Sequence, residues 1–397
     1  MSIVAEPSVA PPALAESRVN EFRKLALGAV LFSFGMSLQG ALFMNFALDE
    51  LRIAPSRLGM LEAIRETGGF LTAFSGAVSM RLAEPLAAAG CLILLAVGVG
   101  GYSIARRIEH IALASFTWSV GFHLFHPLQQ SMNLALVAAG AEGRQLGRLQ
   151  SYSSFATLLA LAFVFTLGRG ATFRDLFLLA ALSLFAGACV VATIRRDLGH
   201  PEKPRLVWRP EAYGLYYRLA FLEGCRKQFF ITFAPMVLIR TFGFDREHMA
   251  KLMFVNALLT LALAPRFGRL IDRLGERRVL TVNYLCILLA FVGYATIRDP
   301  RALSVLFCVD SVLFFFAGAL TTYVKKLAVP EEVMPTLAMG VSVNHIAAVL
   351  IPLVGGFFWE RFDYPLLFIG GTVFAAASVV SVQQMSGKGR RGLRIED

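Results

Sequence analysis

The chain has 397 residues, 56% of them hydrophobic and only 16% charged, with 34 Phe and a mean hydropathy of +0.63. That leaves too little polar surface to solvate a globule of this size, so lipid is expected to be the solvent for most of it. A net charge of +11 would point to nucleic acid in a soluble protein; here its distribution sets orientation instead, and no nucleic-acid partner is expected.

Residues 1–24 hold Pro7, Pro11 and Pro12 among scattered Ala and Ser, with no basic start ahead of a short apolar core. They are expected to form a disordered cytoplasmic tail rather than a cleaved signal. Twelve apolar runs of about 20 residues follow, each long enough to cross a core of roughly 30 Å as a helix. They lie at 25–48, 57–80, 85–105, 110–138, 147–168, 173–194, 213–239, 247–268, 279–297, 302–324, 336–358 and 364–384. The longest internal polar stretch, Arg195 to Glu211, separates the sixth run from the seventh. The expected fold is an all-α polytopic membrane protein of twelve transmembrane helices. It comprises a six-helix bundle over 25–194, a cytoplasmic linker over 195–212, a second six-helix bundle over 213–385 and a basic cytoplasmic tail over 386–397. With the N-terminus in the cytoplasm, and with residues near run ends counted with the adjoining loop, 23 of the 38 Lys and Arg fall on that side, 12 on the other and three (Arg65, Arg226 and Lys227) deep inside runs. Both termini are therefore expected in the cytoplasm. The five cysteines all fall within runs and lack CxxC spacing, which speaks against a disulfide framework or a thiolate metal site and for small apolar packing.

Ionisable groups inside such runs cost about 2.5–3.5 kcal/mol each, so each needs a partner, water or a task. In the first run Gln39 and Asn45 are uncharged polar groups that either contact a solute or hydrogen-bond a neighbouring helix. In the second, Glu62 and Glu66 lie on one face with Arg65 close by. Two arrangements are open: one carboxyl holds a proton, which suits proton coupling, or Glu62 pairs with Arg65 while Glu66 pairs across the bundle. The fourth run carries His123 and His126 on one face, continued by Gln130, beside Pro127. These imidazoles either relay protons, bind solute or pack between helices; a metal lacks an obvious third ligand. The seventh run has Glu223, Arg226 and Lys227, spaced so that one carboxylate reaches either cation and one positive charge is left over. Asp310 in the tenth can neutralise either cation, and Asn344 and His345 in the eleventh either touch solute or bind neighbouring helices.

The densest charge cluster, Gly268-Arg269-Leu270-Ile271-Asp272-Arg273-Leu274-Gly275-Glu276-Arg277-Arg278, sits between the eighth and ninth runs. It matches G-x-L-x-D-R-x-G-R/E-R-R at every fixed position, and resembles the signature loop of the major facilitator superfamily. The twelve-run, two-half plan around it extends the resemblance over nearly the whole chain. Shifting by 192 residues places Gly268 on Gly76, Arg273 on Arg81 and Leu274 on Leu82, with Met80 in place of the Asp and Ala83 in place of the second Gly. The first-half copy is thus the more degraded, the reverse of the usual family pattern.

The resemblance implies two pseudo-symmetric bundles that rock about a central cavity, acting as a monomer in the cell (inner) membrane. It implies a gate in which Gly268, Asp272, Arg273, Gly275 and Arg277 latch onto the start of the fifth helix, Gly147-Arg148-Leu149-Gln150. It places Gln39, Asn45, His123, His126, Gln130, Glu223, Arg226, Lys227, Asp310, Asn344 and His345 toward a small-molecule substrate. Glu62, Arg65 and Glu66 become the candidates for proton coupling. No G-x-x-x-x-G-K-[ST] loop, HExxH or G-x-S-x-G motif occurs, so neither an ATP-driven pump nor an enzyme is expected, and no cofactor or metal. The expected activity is proton-coupled secondary transport of a small polar or amphiphilic solute, with export favoured by family analogy. The alternative is a non-transporting scaffold or assembly factor with the same fold.

Overall fold

The computed structural model describes residues 12–70, 82–137, 142–198 and 208–385. Among these residues the helices form twelve rods and no strand is present. The first half holds α1 (Pro12–Asn45, extended by a π-helical turn Phe46–Glu50), α2 (Pro55–Thr67), α3 (Glu84–Ile104), α4 (Ile108–Ala135), α5 (Glu142–Phe165) and α6 (Phe173–Ala192). In the second half, α7 starts as Pro210–Gln228 and runs on through Phe229–Phe233, Ala234–Met236 and Val237–Thr241. It is followed by α8 (Arg246–Leu274), α9 (Glu276–Thr296), α10 (Pro300–Leu327, tightened to a 3-10 turn at Phe314–Ala317), α11 (Pro330–Phe362) and α12 (Tyr364–Val382).

Local chemistry explains where the rods begin. Pro, which has no N–H to leave unsatisfied, opens the first turn of α2, α3, α7, α10, α11 and α12. Thr172 and Asp175 make a reciprocal capping box at α6, and Asp245 accepts from the His248 N–H at α8. The two π-helical turns of α7 flank Pro235, whose missing N–H interrupts the regular ladder. Gly275, at φ +78°, makes the one-residue turn from α8 to α9, a backbone conformation that other residues adopt only at a cost.

One expectation is corrected. The stretch 1–24 was expected to be a disordered tail, but α1 already begins at Pro12. The Glu21 carboxylate, 5% exposed, takes a 2.8 Å bond from Lys24 and a 3.0 Å bond from the Arg195 N–H beyond the end of α6, which ties this first part of α1 to the bundle. Residues 1–11 and the basic tail 386–397 lie outside the described residues, as do Gly76, Met80 and Arg81 of the first-half loop.

Seven rods, α1, α3, α6, α9, α10, α11 and α12, are long and apolar enough to cross a membrane. Large apolar side chains face outward along them, including Val97, Leu289, Val305 and Val373, each more than half exposed, as does Leu113 on α4. A bundle with greasy sides is stable only in lipid, so this is an integral, multi-pass membrane protein.

Within the first half α3 packs on α4 and α6, and α1 on α5 and α6; within the second, α9 packs on α12 and α7 on α11. The halves meet along α2 with α11 and α5 with α8, so the second rod of each half lies on the fifth of the other. The end where α6 gives way to α7 is the linker end, and its opposite is the far end. Hydrogen bonds and ion pairs joining the halves concentrate at the far end. Arg169 pairs with Glu247 at 2.7 Å, Arg246 donates to the Arg169 carbonyl at 2.7 Å, Asn45 to the Phe244 carbonyl at 2.8 Å, and the Ser56 N–H to Glu360 at 3.2 Å.

The backbones of α2 and α11 touch where both carry glycine. A Cβ built on Gly59 would stand 2.1 Å from the Pro352 carbonyl oxygen, and one on Gly356 2.5 Å from that of Pro55. Gly59→Val is therefore expected to prevent far-end closure. Overpacking of about 1–3 kcal/mol shifts a two-state balance roughly 5- to 150-fold. Spin labels on Arg57→Cys and Arg361→Cys in a cysteine-free background should report a longer distance in the Gly59→Val protein; an unchanged distance distribution would refute it.

Candidate functional site

Midway along the rods the structure gathers most of the ionisable groups of the apolar runs into two clusters. His345, the residue that locates the first, stands 15 residues after Pro330 and 17 before Phe362 on α11. Around it are Glu62, Arg65 and Glu66 from α2, Lys227 from α7 and His123 from α4.

Arg65 holds both acids of its own helix, with Nη1 2.6 Å from Glu62 Oε2 and Nη2 2.8 Å from Glu66 Oε1. The second oxygen of Glu66 faces the other half, 3.5 Å from Lys227 Nζ and 3.3 Å from His345 Nδ1. Of the two arrangements open from sequence, the chain thus adopts the Glu62–Arg65 intrahelical pair with Glu66 reaching across. The His123 and His345 rings meet edge-on at 4.8 Å, which brings a third first-half helix to the seam. Two glycines make room: a Cβ on Gly68 would collide with Ser119 and one on Gly69 with the His345 ring, each within 2.5 Å. Ser119 uses that closeness to donate to the Arg65 carbonyl at 2.5 Å. Lys227 is partly accessible, its side chain 24% exposed.

The second cluster belongs entirely to the second half. The Arg226 guanidinium donates to Glu223 Oε1 at 3.1 Å and to the Asp310 carbonyl and carboxylate at 3.0 and 3.2 Å, and its carbon lies 4.3 Å from the centre of the Phe314 ring. All three charged side chains are at most 8% exposed. Glu223 and Asp310 thus both take Arg226, and the cation left over is Lys227.

Next to this triad, α7, α8 and α10 border an open cavity of about 290 Å³ lined by Phe230, Ile231, Thr260, Ser311, Phe314 and Phe315. Its walls are aromatic, with two hydroxyls as the polar points, and its volume is near the lower end for small-molecule sites. Sequence reasoning reached Asp310, next to Ser311, and did not find this cavity. The Phe-Phe-Phe run at 314–316 was the available signal, hidden among 34 Phe.

The other candidates are dispersed. His126 sits edge-on to Phe32 and Phe122, 5.4 and 4.6 Å between centroids, inside the first half. Asn45 is a far-end contact, bonded to Asp49 and the Phe244 carbonyl, each at 2.8 Å. Asn344 donates to the Ala220 carbonyl and so joins α11 to α7. Gln39 is buried on α1 and Gln130 exposed on α4. In the charge cluster, Gly268 falls inside α8, Asp272 and Arg273 are exposed at the linker end, and Arg277 donates to Gln383 at 3.1 Å.

Residues 217–384 match the family model described as Major Facilitator Superfamily, and the whole fold agrees with solved members over 92% of the chain. That family match covers 168 of the 397 residues, all of them in the second half of the chain. A mutant of the nucleoside transporter NupG superposes with a TM-score of 0.80 at 13% identity, covering 99% of that protein. A bacterial homologue of the human lysosomal transporter Spinster, inward-facing and occupied, gives 0.74 at 12% identity over 96% of its length. A D-xylose-proton symporter gives 0.68 at 14% identity, also over 96%. In sequence, an uncharacterised MFS-type transporter of Methanocaldococcus jannaschii is 29% identical over 115 residues, a match spanning 28% of each chain. At such identities the likeness carries the fold alone.

Proposed function

We propose that this chain is a member of the major facilitator superfamily and a secondary active transporter that moves a small polar or amphiphilic solute by alternating access, acting as a monomer, with protons as the coupling ion and export the favoured direction. The observation that carries it is the meeting of Glu66 with Lys227 and His345: charges from both halves, expensive to hold in apolar rods, face each other across the seam along which the halves must part. Protonation of Glu66 would cancel the charge that holds Lys227 and loosen that tie, and His123 and His345 offer a route for the proton.

Positive-inside counting puts the linker end in the cytoplasm, so the form described is closed toward the outside. Asp272 and the surrounding arginines, exposed in this form, then serve as the latch of the opposite one, where the N–H groups at the start of α5 would receive the carboxylate. Solute binding is assigned to the space between the two clusters. The aromatic cavity at Phe230 and Phe314 takes the apolar part, Thr260 and Ser311 fix orientation, and Lys227 with His345 takes a polar or negatively charged part. Arg226, Glu223 and Asp310 act from behind Phe314 as positioning residues. The likeness to a sugar–proton symporter supports the coupling ion, and that to a nucleoside transporter supports a solute with a flat ring.

Purified protein in proteoliposomes, offered nucleosides, sugars, dipeptides and amphiphilic cations under an imposed pH gradient, is expected to accumulate at least one class, and a protonophore should abolish the accumulation. Fluxes that ignore the gradient for every class would overturn the coupling, and no flux at all would favour the scaffold.

A further inference from the structure

At the far end of the first half, the connections from α1 to α2 and from α3 to α4 enclose a groove of about 550 Å³. Four arginines line it, Arg52, Arg57, Arg106 and Arg107, against one acid, Glu109, while Ile53 and Ile111 contribute to an apolar wall. These are a third of the 12 Lys and Arg assigned to that end, placed where positive-inside counting expects few.

Several other arginines at the same end have partners. Arg169 pairs with Glu247, Arg174 with Glu50, Arg246 bonds the Arg169 carbonyl, and Arg298 bonds Tyr364. None of the four groove arginines makes an ion pair or a side-chain hydrogen bond with a described residue, though Glu360 lies within electrostatic reach of Arg57. Two helix starts add to the field: α2 and α4 both begin at the groove, at Ala54 and Arg107, with no side-chain cap over their first turns. Arg52 itself has a left-handed backbone, φ +52°, which its neighbours must enforce.

Four arginines lining one groove, with two uncapped helix starts beside them and an apolar wall, match the demands of a phosphate group attached to a less polar body. We propose that this groove binds a phosphate-bearing anion. Two sources share that chemistry: the headgroup of an anionic phospholipid at the membrane edge, and a soluble phosphate or phosphate ester. The site is separate from the mid-depth clusters and does not depend on the transport reading.

The test uses the full chain in phosphatidylcholine nanodiscs, with its unfolding temperature followed while phosphatidylglycerol is added to the discs, or inorganic phosphate or glycerol 3-phosphate to the buffer. At least one arm should stabilise the protein saturably, and Arg106→Gln with Arg107→Gln should raise the half-saturating concentration at least about tenfold. Arg301→Gln, which removes an exposed far-end charge elsewhere, should leave it unchanged. Should the first pair fail to purify, Arg52→Gln with Arg57→Gln reads the same loss. Response to phosphatidylglycerol alone assigns the lipid, and response to the soluble probes assigns the free ester. No saturable shift in any arm, or an equal loss in Arg301→Gln, overturns the site.

Discussion

Arg226→Ala is expected to lower the unfolding temperature of the purified protein by about 4–6 °C, whatever its effect on transport. The guanidinium donates to two carboxylates and a carbonyl, and Asp310 is 0% exposed. Removing one partner of a buried ion pair costs about 3–5 kcal/mol, because the charges left behind stay buried. That is a large share of a typical total of about 5–15 kcal/mol. Arg226→Lys keeps the charge but loses the planar fork, so it should fall between the two. Adding Asp310→Asn to Arg226→Ala should recover part of the loss, since one orphaned carboxylate is then neutral. Lys227→Ala, which removes a single 3.5 Å contact from a partly accessible side chain, should cost far less stability. Equal melting of Arg226→Ala and the parent protein would remove the triad from the account of stability.

Glu66→Gln should act on coupling. The amide keeps the shape but takes away the one charge that Arg65, Lys227 and His345 all face. Flux driven by a pH gradient is expected to fall at least about tenfold, equivalent to about 1.4 kcal/mol and well below the about 3–5 kcal/mol that a lost buried partner costs. Solute exchange without a gradient should persist, because it needs no net proton movement, and Glu66→Asp should keep some pH dependence. Gradient-driven flux at the parent rate would show that protons do not pass through this carboxylate.

The membrane class, the two halves and nearly every helix were legible in the chain itself. Runs of about 20 apolar residues have one structural solution in lipid, since every backbone N–H and C=O must be satisfied within its own segment. The signature loop was legible for a similar reason, as Gly275 must take a left-handed backbone at a one-residue turn. The start of α1 was misjudged because prolines at 7, 11 and 12 look like punctuation, whereas what orders the segment after Pro12 is a contact with Arg195, far away in sequence. The aromatic cavity was invisible because Phe230 and Phe314 look like any other membrane phenylalanine until α7, α8 and α10 converge.

By itself the sequence determined which residues are too polar for lipid and therefore must find partners: Glu62, Arg65, Glu66, Glu223, Arg226, Lys227, Asp310 and His345. Helical spacing could say that Glu223 reaches either Arg226 or Lys227, because i,i+3 and i,i+4 neighbours share a face. Only the tertiary structure decided the choice. Asp310 on α10 brings a second carboxylate to Arg226, and Glu66 on α2 lies across the seam from Lys227, so the two adjacent cations end with opposite partners. One is locked within a half and the other ties the halves together. The pairing is settled by which helices are neighbours, and neighbourhood between rods depends on packing across the bundle, which no local pattern in the chain encodes.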